Sequence, residues 1–279
     1  MIGFIGLGRM GGPMASHLVA SGHRVRGLDP SPEARDAARE RGVEIVSVAE
    51  LGVPVVMSSL PGDAEVEAVY SDDLFHALEP GALCLDLSTI DVGLSQRIAA
   101  RAARAGHRFL DCPVSGTSVH ARAGTLAVMV GGETDAVEEA RPYLDVFSTS
   151  VHHVGPNGSG LEMKLITNRL LNAHVVSIAE AILEMEMAGL DTTVCIELLR
   201  QGAVPRLLDY KAGPMAARDH SPLFTVDLMA KDLGLADARR PAGPVGEVAA
   251  RILREAQDDG WGPSDIGAVI EVSAAVDPE

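Results

Sequence analysis

Short apolar runs alternate with stretches of helical spacing through the first half of the chain. MIGFIG, RVRGLD, VPVVMSS and ALCLDLS are each followed by an amphipathic segment. HRFLDCP, TLAVMVGG and STSVHHVG continue the series, with one more helix predicted over residues 133–146. Strands that alternate with helices in this way build βαβ units and a parallel sheet. Residues 1–156 are therefore expected to form a doubly wound α/β domain.

The pattern changes after Gly155-Pro156-Asn157-Gly158. Between Gly160 and Ala188 neither Pro nor Gly interrupts the chain, which predicts one helix of about 40 Å. Gly189 is a fitting stop, and Asp191 a fitting cap for a helix running to Gly202. Further helices are predicted over 205–217, 225–239, 244–258 and 264–275, and no run after Val154 has strand character. Residues 157–279 are thus expected to be an all-helical C-terminal domain, joined to the first through the long helix. The reactive centre is expected at the cleft between the two domains, where that helix begins.

Composition narrows the function classes. The chain has 279 residues, 47% apolar and 22% charged, enough for two folded domains. Acidic residues outnumber basic ones 39 to 23, for a net charge of −16, and the basic residues are scattered. Nucleic acid and anionic membrane are excluded as partners on that ground. A small anionic substrate is not, because a buried Lys or a helix N-terminus supplies local positive potential. Cys84, Cys112 and Cys195 form neither a CxxC pair nor a metal-ligand set. Reduced thiols and a cytoplasmic location are expected. No apolar run reaches the roughly 20 residues that cross a bilayer, and Met1 leads straight into a strand with no export signal.

The chemistry begins at Gly6-Leu7-Gly8-Arg9-Met10-Gly11, placed after an apolar strand and before a helix. Gly6 permits the tight turn, Gly8 lets the backbone approach a pyrophosphate, and Gly11 lets the helix pack on the strand. The phosphates of a dinucleotide then face amide N–H groups at the positive end of the helix. Asp29 ends the second apolar run, 18 positions beyond the last motif glycine. A carboxylate there binds the adenosine ribose hydroxyls and repels a 2′-phosphate, favouring NAD and leaving NADP open, with Arg24 and Arg26 nearby to blur the preference. Lys164 and Asn168 are four apart on the long helix and share a face. Ser115-Gly116-Thr117 follows a strand and a Pro, where hydroxyls and backbone N–H groups suit a carboxylate, or equally an ordinary polar turn.

These segments together resemble the 3-hydroxyisobutyrate dehydrogenase, or β-hydroxyacid dehydrogenase, family, relatives of 6-phosphogluconate dehydrogenase. GFIGLGRMGGPMASHL followed by GH is similar to the family's N-terminal signature, and DCPVSG with AGTL and MVGG to its substrate-binding segment. Gly158-x-Gly160-x-x-x-Lys164-x-x-x-Asn168 and Phe224 through Lys231-Asp232-Leu233 resemble its catalytic helix start and its late KDL motif. The four motifs follow the family order from residue 3 to about 236.

The resemblance implies a Rossmann-type sheet followed by a helical domain, and hydride transfer between a nicotinamide cofactor and a small 3-hydroxy acid or its semialdehyde. It further implies Lys164 as general acid and base with Asn168 orienting the substrate oxygen, and Ser115, Gly116 and Thr117 holding the carboxylate. Leu60, Pro61, Ser88 and Thr89 would lie beside the nicotinamide and its ribose, with Lys231 reaching cofactor or substrate and Asp232 supporting it. A homodimer or homotetramer is implied as well. Imine reductases share the architecture but usually lack a Lys at position 164, and a non-catalytic cofactor-binding scaffold is the remaining alternative. The chain departs from the pattern at Thr117 and His120, where Gly is frequent, at Thr167, where Asn or His is usual, and at Val92, where Pro is usual.

Overall fold

The computed structural model describes residues 1–201 and 205–273. It divides into two compact units, Met1–Lys164 and Leu165–Glu279.

In the first unit strands and helices alternate as the apolar rhythm requires. The elements are β1 (Ile2–Ile5), α1 (Gly11–Ala20), β2 (Val25–Leu28), α2 (Pro32–Glu40), β3 (Glu44–Ile45), β4 (Val55–Ser58), α3 (Asp63–Val69), α4 (Asp72–Ala77), β5 (Leu83–Asp86) and α5 (Val92–Arg104). They continue with β6 (Arg108–Asp111), β7 (Val114–Ser115), α6 (Ser118–Ala123), β8 (Leu126–Gly131), α7 (Thr134–Leu144) and β9 (Ser148–Gly155). The strand order is β3-β2-β1-β4-β5-β6-β8-β7, with β9 paired to β8.

The pairs from β3 through β6 are all parallel. Every residue of β1, β4 and β5 is buried, as expected for strands covered on both faces by crossover helices. Beyond β6 the sheet departs from the parallel pattern, because β8 runs antiparallel to both β6 and β7. Phe4, Met14, Leu18, Met57, Leu85, Val130 and Phe147 are among the residues of the core.

The strand order reverses at β1 and β4, so the crevice at their C-terminal ends is the topological switch point where dinucleotides bind. Three strands carry Leu-Asp at or just past that edge: Leu28-Asp29, Leu85-Asp86 and Leu110-Asp111.

Helix α8 spans Ser159–Met187, from the end of the first unit into the second. Gly189 is left-handed at φ +67°, and the Gly189 and Leu190 amides close the helix on the Glu186 and Met185 carbonyls. Asp191 caps α9 (Thr192–Arg200) by accepting from the Thr193 and Val194 amides. α10 (Pro205–Ala216), α11 (Val226–Arg239) and α12 (Pro244–Ala256) follow the predicted spans. The last predicted helix is shorter, a 3-10 turn at Ile266–Ala268 leading into α13 (Val269–Ser273). Its final two positions lie outside the described residues. Past Gly155, β pairing among the described residues is a single antiparallel bridge, Thr225 to Asp265. Val175, Ala179, Ile182, Met229, Leu253 and Ile270 belong to the second core.

The start of α8 is pinned to the sheet edge. Asp111 at the end of β6 accepts from the Gly158 amide at 2.7 Å and the Leu161 amide at 3.0 Å. Asn157 Nδ2 donates to the Phe109 carbonyl at 2.7 Å. A Cβ on Gly160 would lie 2.6 Å from the Met129 carbonyl oxygen and 2.8 Å from that of Asp111, so only glycine permits this approach. Gly160→Ala is expected to destabilise the protein by about 1–3 kcal/mol, the usual cost of overpacking. Gly234→Ala on α11, where a Cβ meets nothing within 4 Å, should be neutral or stabilising by up to about 1 kcal/mol. Urea unfolding of the two variants checks the contrast, and equal midpoints would show that the α8 start is not tightly held.

Candidate active site

The glycine motif is built as a cradle. Gly6 is left-handed at φ +88°, and a Cβ there would sit 2.3 Å from the Ser59 carbonyl oxygen. A Cβ on Gly11 would sit 1.9 Å from the Gly6 carbonyl oxygen, whereas one on Gly8 would meet nothing within 4 Å. Two glycines thus close the βα turn, and the third leaves open space against the backbone. The Met10 side chain makes no capping hydrogen bond to α1, and the first turn holds no acidic residue. That helix end suits an anion.

A cleft of about 1120 Å³ opens from this turn, lined by Gly6, Gly8, Asp29, Leu60 and Pro61 among others. Asp29 Oδ2 accepts from the Leu7 amide at 2.7 Å, and Oδ1 from the Ser31 amide at 2.8 Å. The carboxylate holds the motif loop and keeps lone pairs for ribose hydroxyls. Glycines that only a close backbone approach requires, an open helix N-terminus and Asp29 at the far end together fit a dinucleotide.

Two further arginines border the cleft that sequence reasoning did not single out, Arg35 and Arg39. Arg35 donates to the Asp29 and Pro30 carbonyls at 3.1 and 3.3 Å, while Arg39 pairs with Asp36 at 2.5 Å. Their i, i+4 spacing on α2 after the cap Ser31-Pro32 was the available signal. Arg24 and Arg26 instead pair with Glu44 on β3. Arg26 also donates to the Glu50 and Leu51 carbonyls. Any competition with Asp29 for a 2′-phosphate therefore falls to Arg35 and Arg39.

The loops after β4 and β5 are tied to one carboxyl. The Leu60 amide donates to Ser88 Oγ at 2.9 Å, and the Ser88 hydroxyl donates to Asp86 Oδ1 at 2.6 Å. Ser58 donates to the same Oδ1 at 2.7 Å and shares a hydrogen bond with Tyr70. Burial pushes the Asp86 carboxyl up to about 6, against the pull of these hydrogen bonds. Leu60 and Ser88 are thus brought together at the sheet edge.

Just past β7, Gly116 sits at φ +128°, with a would-be Cβ 2.9 Å from that of His120. Thr117 caps α6. Its hydroxyl accepts from the Val119 amide at 3.3 Å, and its own amide donates to His120 Nδ1 at 3.1 Å. An amide N–H only donates, so Nδ1 is the unprotonated ring nitrogen. The hydroxyl and the amide of Thr117 therefore both serve the turn.

Lys164 lies in the second turn of α8 and is buried, with 8% of its surface exposed. In the second unit Asn168 Nδ2 donates to Asp232 Oδ2 at 2.6 Å, and Lys231 Nζ lies 3.2 Å from Asp232 Oδ1. Asp232 thereby fixes which end of the Asn168 amide is nitrogen, and a second N–H and the carbonyl oxygen remain for other partners.

The chain is similar to known proteins along nearly its whole length. The NAD binding domain of 6-phosphogluconate dehydrogenase matches residues 1–155. The NAD-binding domain of NADP-dependent 3-hydroxyisobutyrate dehydrogenase matches residues 158–273. An NAD-dependent L-serine dehydrogenase of Pseudomonas aeruginosa is 36% identical over 96% of each chain. A probable 3-hydroxyisobutyrate dehydrogenase of Mycobacterium tuberculosis is 37% identical over 98% of each.

The chain belongs to the 3-hydroxyisobutyrate dehydrogenase family. It is a nicotinamide-dependent dehydrogenase with a Rossmann-type domain followed by a helical one. The structure of the Mycobacterium tuberculosis 3-hydroxyisobutyrate dehydrogenase with L-serine superposes with a TM-score of 0.87, covering 98% of this chain and 99% of that one at 36% identity. An imine reductase from Pseudomonas sp. shares the fold at a TM-score of 0.64 but only 19% identity. Among the described residues no helix is long and apolar enough to cross a membrane.

The pull on Asp86 has a measurable sign. Its folded pKa of about 6 lies above the ordinary 3.8, so the folded state holds this proton more tightly than the unfolded chain. Stability from this group is full below about pH 4 and is lost as pH rises through about 6, by up to about 3 kcal/mol. Asp86→Asn keeps an acceptor without the charge. Its stability relative to the parent should rise between pH 4.5 and 7.5 in urea titrations, and a constant difference between the two proteins would place the Asp86 pKa at its ordinary value.

Proposed function

We propose that the enzyme oxidises a small 3-hydroxy acid, or reduces the matching semialdehyde, with NAD preferred over NADP and Lys164 carrying the proton. The observation that carries this reading is the burial of Lys164 one turn after Gly160, where Asp111 fixes the helix start against the sheet edge that binds the dinucleotide. The L-serine and 3-hydroxyisobutyrate named for the relatives mark the substrate class.

When bound, a nicotinamide would supply the hydride acceptor for the carbinol carbon in oxidation and the hydride donor in reduction. Gly6, Leu7, Gly8, Arg9, Met10 and Gly11 would hold the pyrophosphate, Asp29 would hold the ribose, and Leu60, Pro61, Ser88 and Thr89 would border the nicotinamide. Ser115 and Gly116, with Thr117 supporting the turn, hold the substrate carboxylate. Lys164 takes the hydroxyl proton as the neutral amine and gives it back as the ammonium. Asn168, oriented by Asp232, holds the same oxygen, and Lys231 completes the group. Residues 1–156 serve as the dinucleotide domain and 157–279 as the helical domain. A cytoplasmic location accords with three free cysteines, two of them buried.

The test is a panel of small hydroxy acids and semialdehydes with each nicotinamide cofactor, read by absorbance. Turnover is expected with at least one 3-hydroxy acid, faster with NAD. Lys164→Ala should lower turnover by about 10²-fold or more, the scale of a lost general acid or base, with NAD affinity nearly intact. Ser115→Ala should act mainly on KM. Parent-like turnover in Lys164→Ala would refute the proton-transfer role, and loss of NAD binding would move Lys164 to the cofactor site.

The active form is proposed to be a homodimer or homotetramer. Met163, Ile166 and Leu170 share one exposed apolar face of α8, the kind of surface a second copy covers. Light scattering should give two or four times the chain mass, and an active monomer would refute the assembly.

A further inference from the structure

The loops after β4 and β5 leave the sheet beside the strand-order reversal, and a single chain of hydrogen bonds joins them. Asp86, which ends β5, is 1% exposed. Its Oδ1 accepts from the Ser58 hydroxyl at 2.7 Å, the Ser88 hydroxyl at 2.6 Å and the Ser88 amide at 3.2 Å. A hydroxyl has one hydrogen to give. Ser58 directs its hydrogen to Asp86, so the bond between Ser58 and Tyr70 is donated by Tyr70. Ser88 directs its hydrogen to Asp86 as well, which leaves its oxygen only as an acceptor, and the Leu60 amide donates to it at 2.9 Å. An ionised carboxylate only accepts, so it fixes the direction of every bond from Tyr70 to Leu60.

Stability does not account for this choice of side chain. Asp86 Oδ2 is buried without a hydrogen-bond partner among the described residues, and a buried carboxylate oxygen without a donor is costly. What the carboxylate supplies is the position of Leu60. Ser59, Leu60 and Pro61 line the cleft together with Gly6 and Gly8. Leu60 Cδ2 lies 3.0 Å from where a Cβ on Gly6 would sit, so this side chain rests on the motif turn. Asp29 follows β2 on one side of β1, and Leu60 follows β4 on the other. A dinucleotide with one ribose at Asp29 and its pyrophosphate at the start of α1 carries its other half toward β4 and β5.

We propose that Asp86 is a positioning residue for the nicotinamide half of the cofactor, acting through Ser88 to hold the Leu60 loop against the motif turn. The inference rests on the placement of Leu60 and Ser88 beside the nicotinamide proposed above. Calorimetric titration of the full-length protein with NAD and with ADP-ribose, which lacks only the nicotinamide ring, separates the two halves of the cofactor. Work at about pH 8, above the Asp86 pKa of about 6, keeps the carboxylate ionised. Asp86→Ala and Ser88→Ala should each weaken NAD by about tenfold, the scale of one hydrogen bond, and leave ADP-ribose within about twofold of the parent. Because the path runs through Ser88, the double variant should be no weaker than Ser88→Ala. If Asp86→Ala does not fold, Asp86→Asn, which keeps the shape but is no longer acceptor-only, should show the same split between the ligands. Additive losses, an equal loss of both ligands, or parent-like NAD affinity in the Asp86 variant overturns the proposal. Selective NAD loss in Ser88→Ala alone would keep the loops beside the nicotinamide and remove only the role of Asp86, whereas parent-like NAD affinity in both variants removes that placement too. No substrate enters the titration, so a parent inactive on every 3-hydroxy acid would remove the proposed reaction and leave this inference standing.

Discussion

The arrangement of this enzyme depends on one carboxylate, Asp111, which receives the Gly158 and Leu161 amides at the end of β6. A helix start leaves its first amides without intrahelical partners, and here they are satisfied by the sheet. Burial raises the Asp111 pKa while the amide hydrogen bonds pull it down, so the group is held between desolvation and its donors. The consequence is positional. Residues from Gly158 onward can begin α8 at one place only, and Lys164 follows at a fixed rotation and rise. Gly160 completes the restraint, because any side chain there would collide with the Met129 carbonyl.

The same device recurs along the edge. Asp29 receives the Leu7 and Ser31 amides, and Asp86 gathers the Ser58 and Ser88 hydroxyls, with Leu60 joined through Ser88. Each Leu-Asp pair puts an apolar residue in the sheet and an acceptor at or just beyond its end. The loops proposed to meet the cofactor are thereby fastened by acids, which is how an acidic chain can build an edge suited to an anion. The carboxylates face backbone amides and hydroxyls, and helix α1 offers its N-terminus to the phosphates.

The features legible in the sequence were those set by local patterning. Apolar runs bounded by turns marked most strands, the interval without Gly or Pro marked α8, and the glycine spacing marked the cradle. The two-residue strands β3 and β7 were too short to produce a periodic signal. The antiparallel course of β8 depends on which strand it joins, which no local window records. Asp111 and Asp86 were passed over because their significance lies in partners as far as 50 residues away. Arg35 and Arg39 read as an ordinary solvated helix face until the cleft placed them beside Asp29. Lys164 and Asn168 were singled out by the family motif and their shared helix face, whereas the capping role of Thr117 emerged only from hydrogen-bond geometry.

The chemistry of α8 follows from where polar residues interrupt a seam that is otherwise apolar. Asn is a poorer helix former than Leu by a few tenths of a kcal/mol, and burying its amide adds a desolvation cost unless both ends find partners. Leu161 and Leu165 before the interruption, and Val175 and Ala179 after it, show that the fold accepts hydrocarbon along this line. Packing alone would therefore favour apolar residues at 168 and 172. Asp232 offsets part of the cost at Asn168 by accepting one N–H, and it is itself buried with Lys231 beside it. The polar stretch is thus short, begins at Lys164 and has its own supporting carboxylate. Helix stability is conceded only over the two turns that follow Lys164, the stretch in which the proposed reaction would require donors and acceptors held at fixed positions.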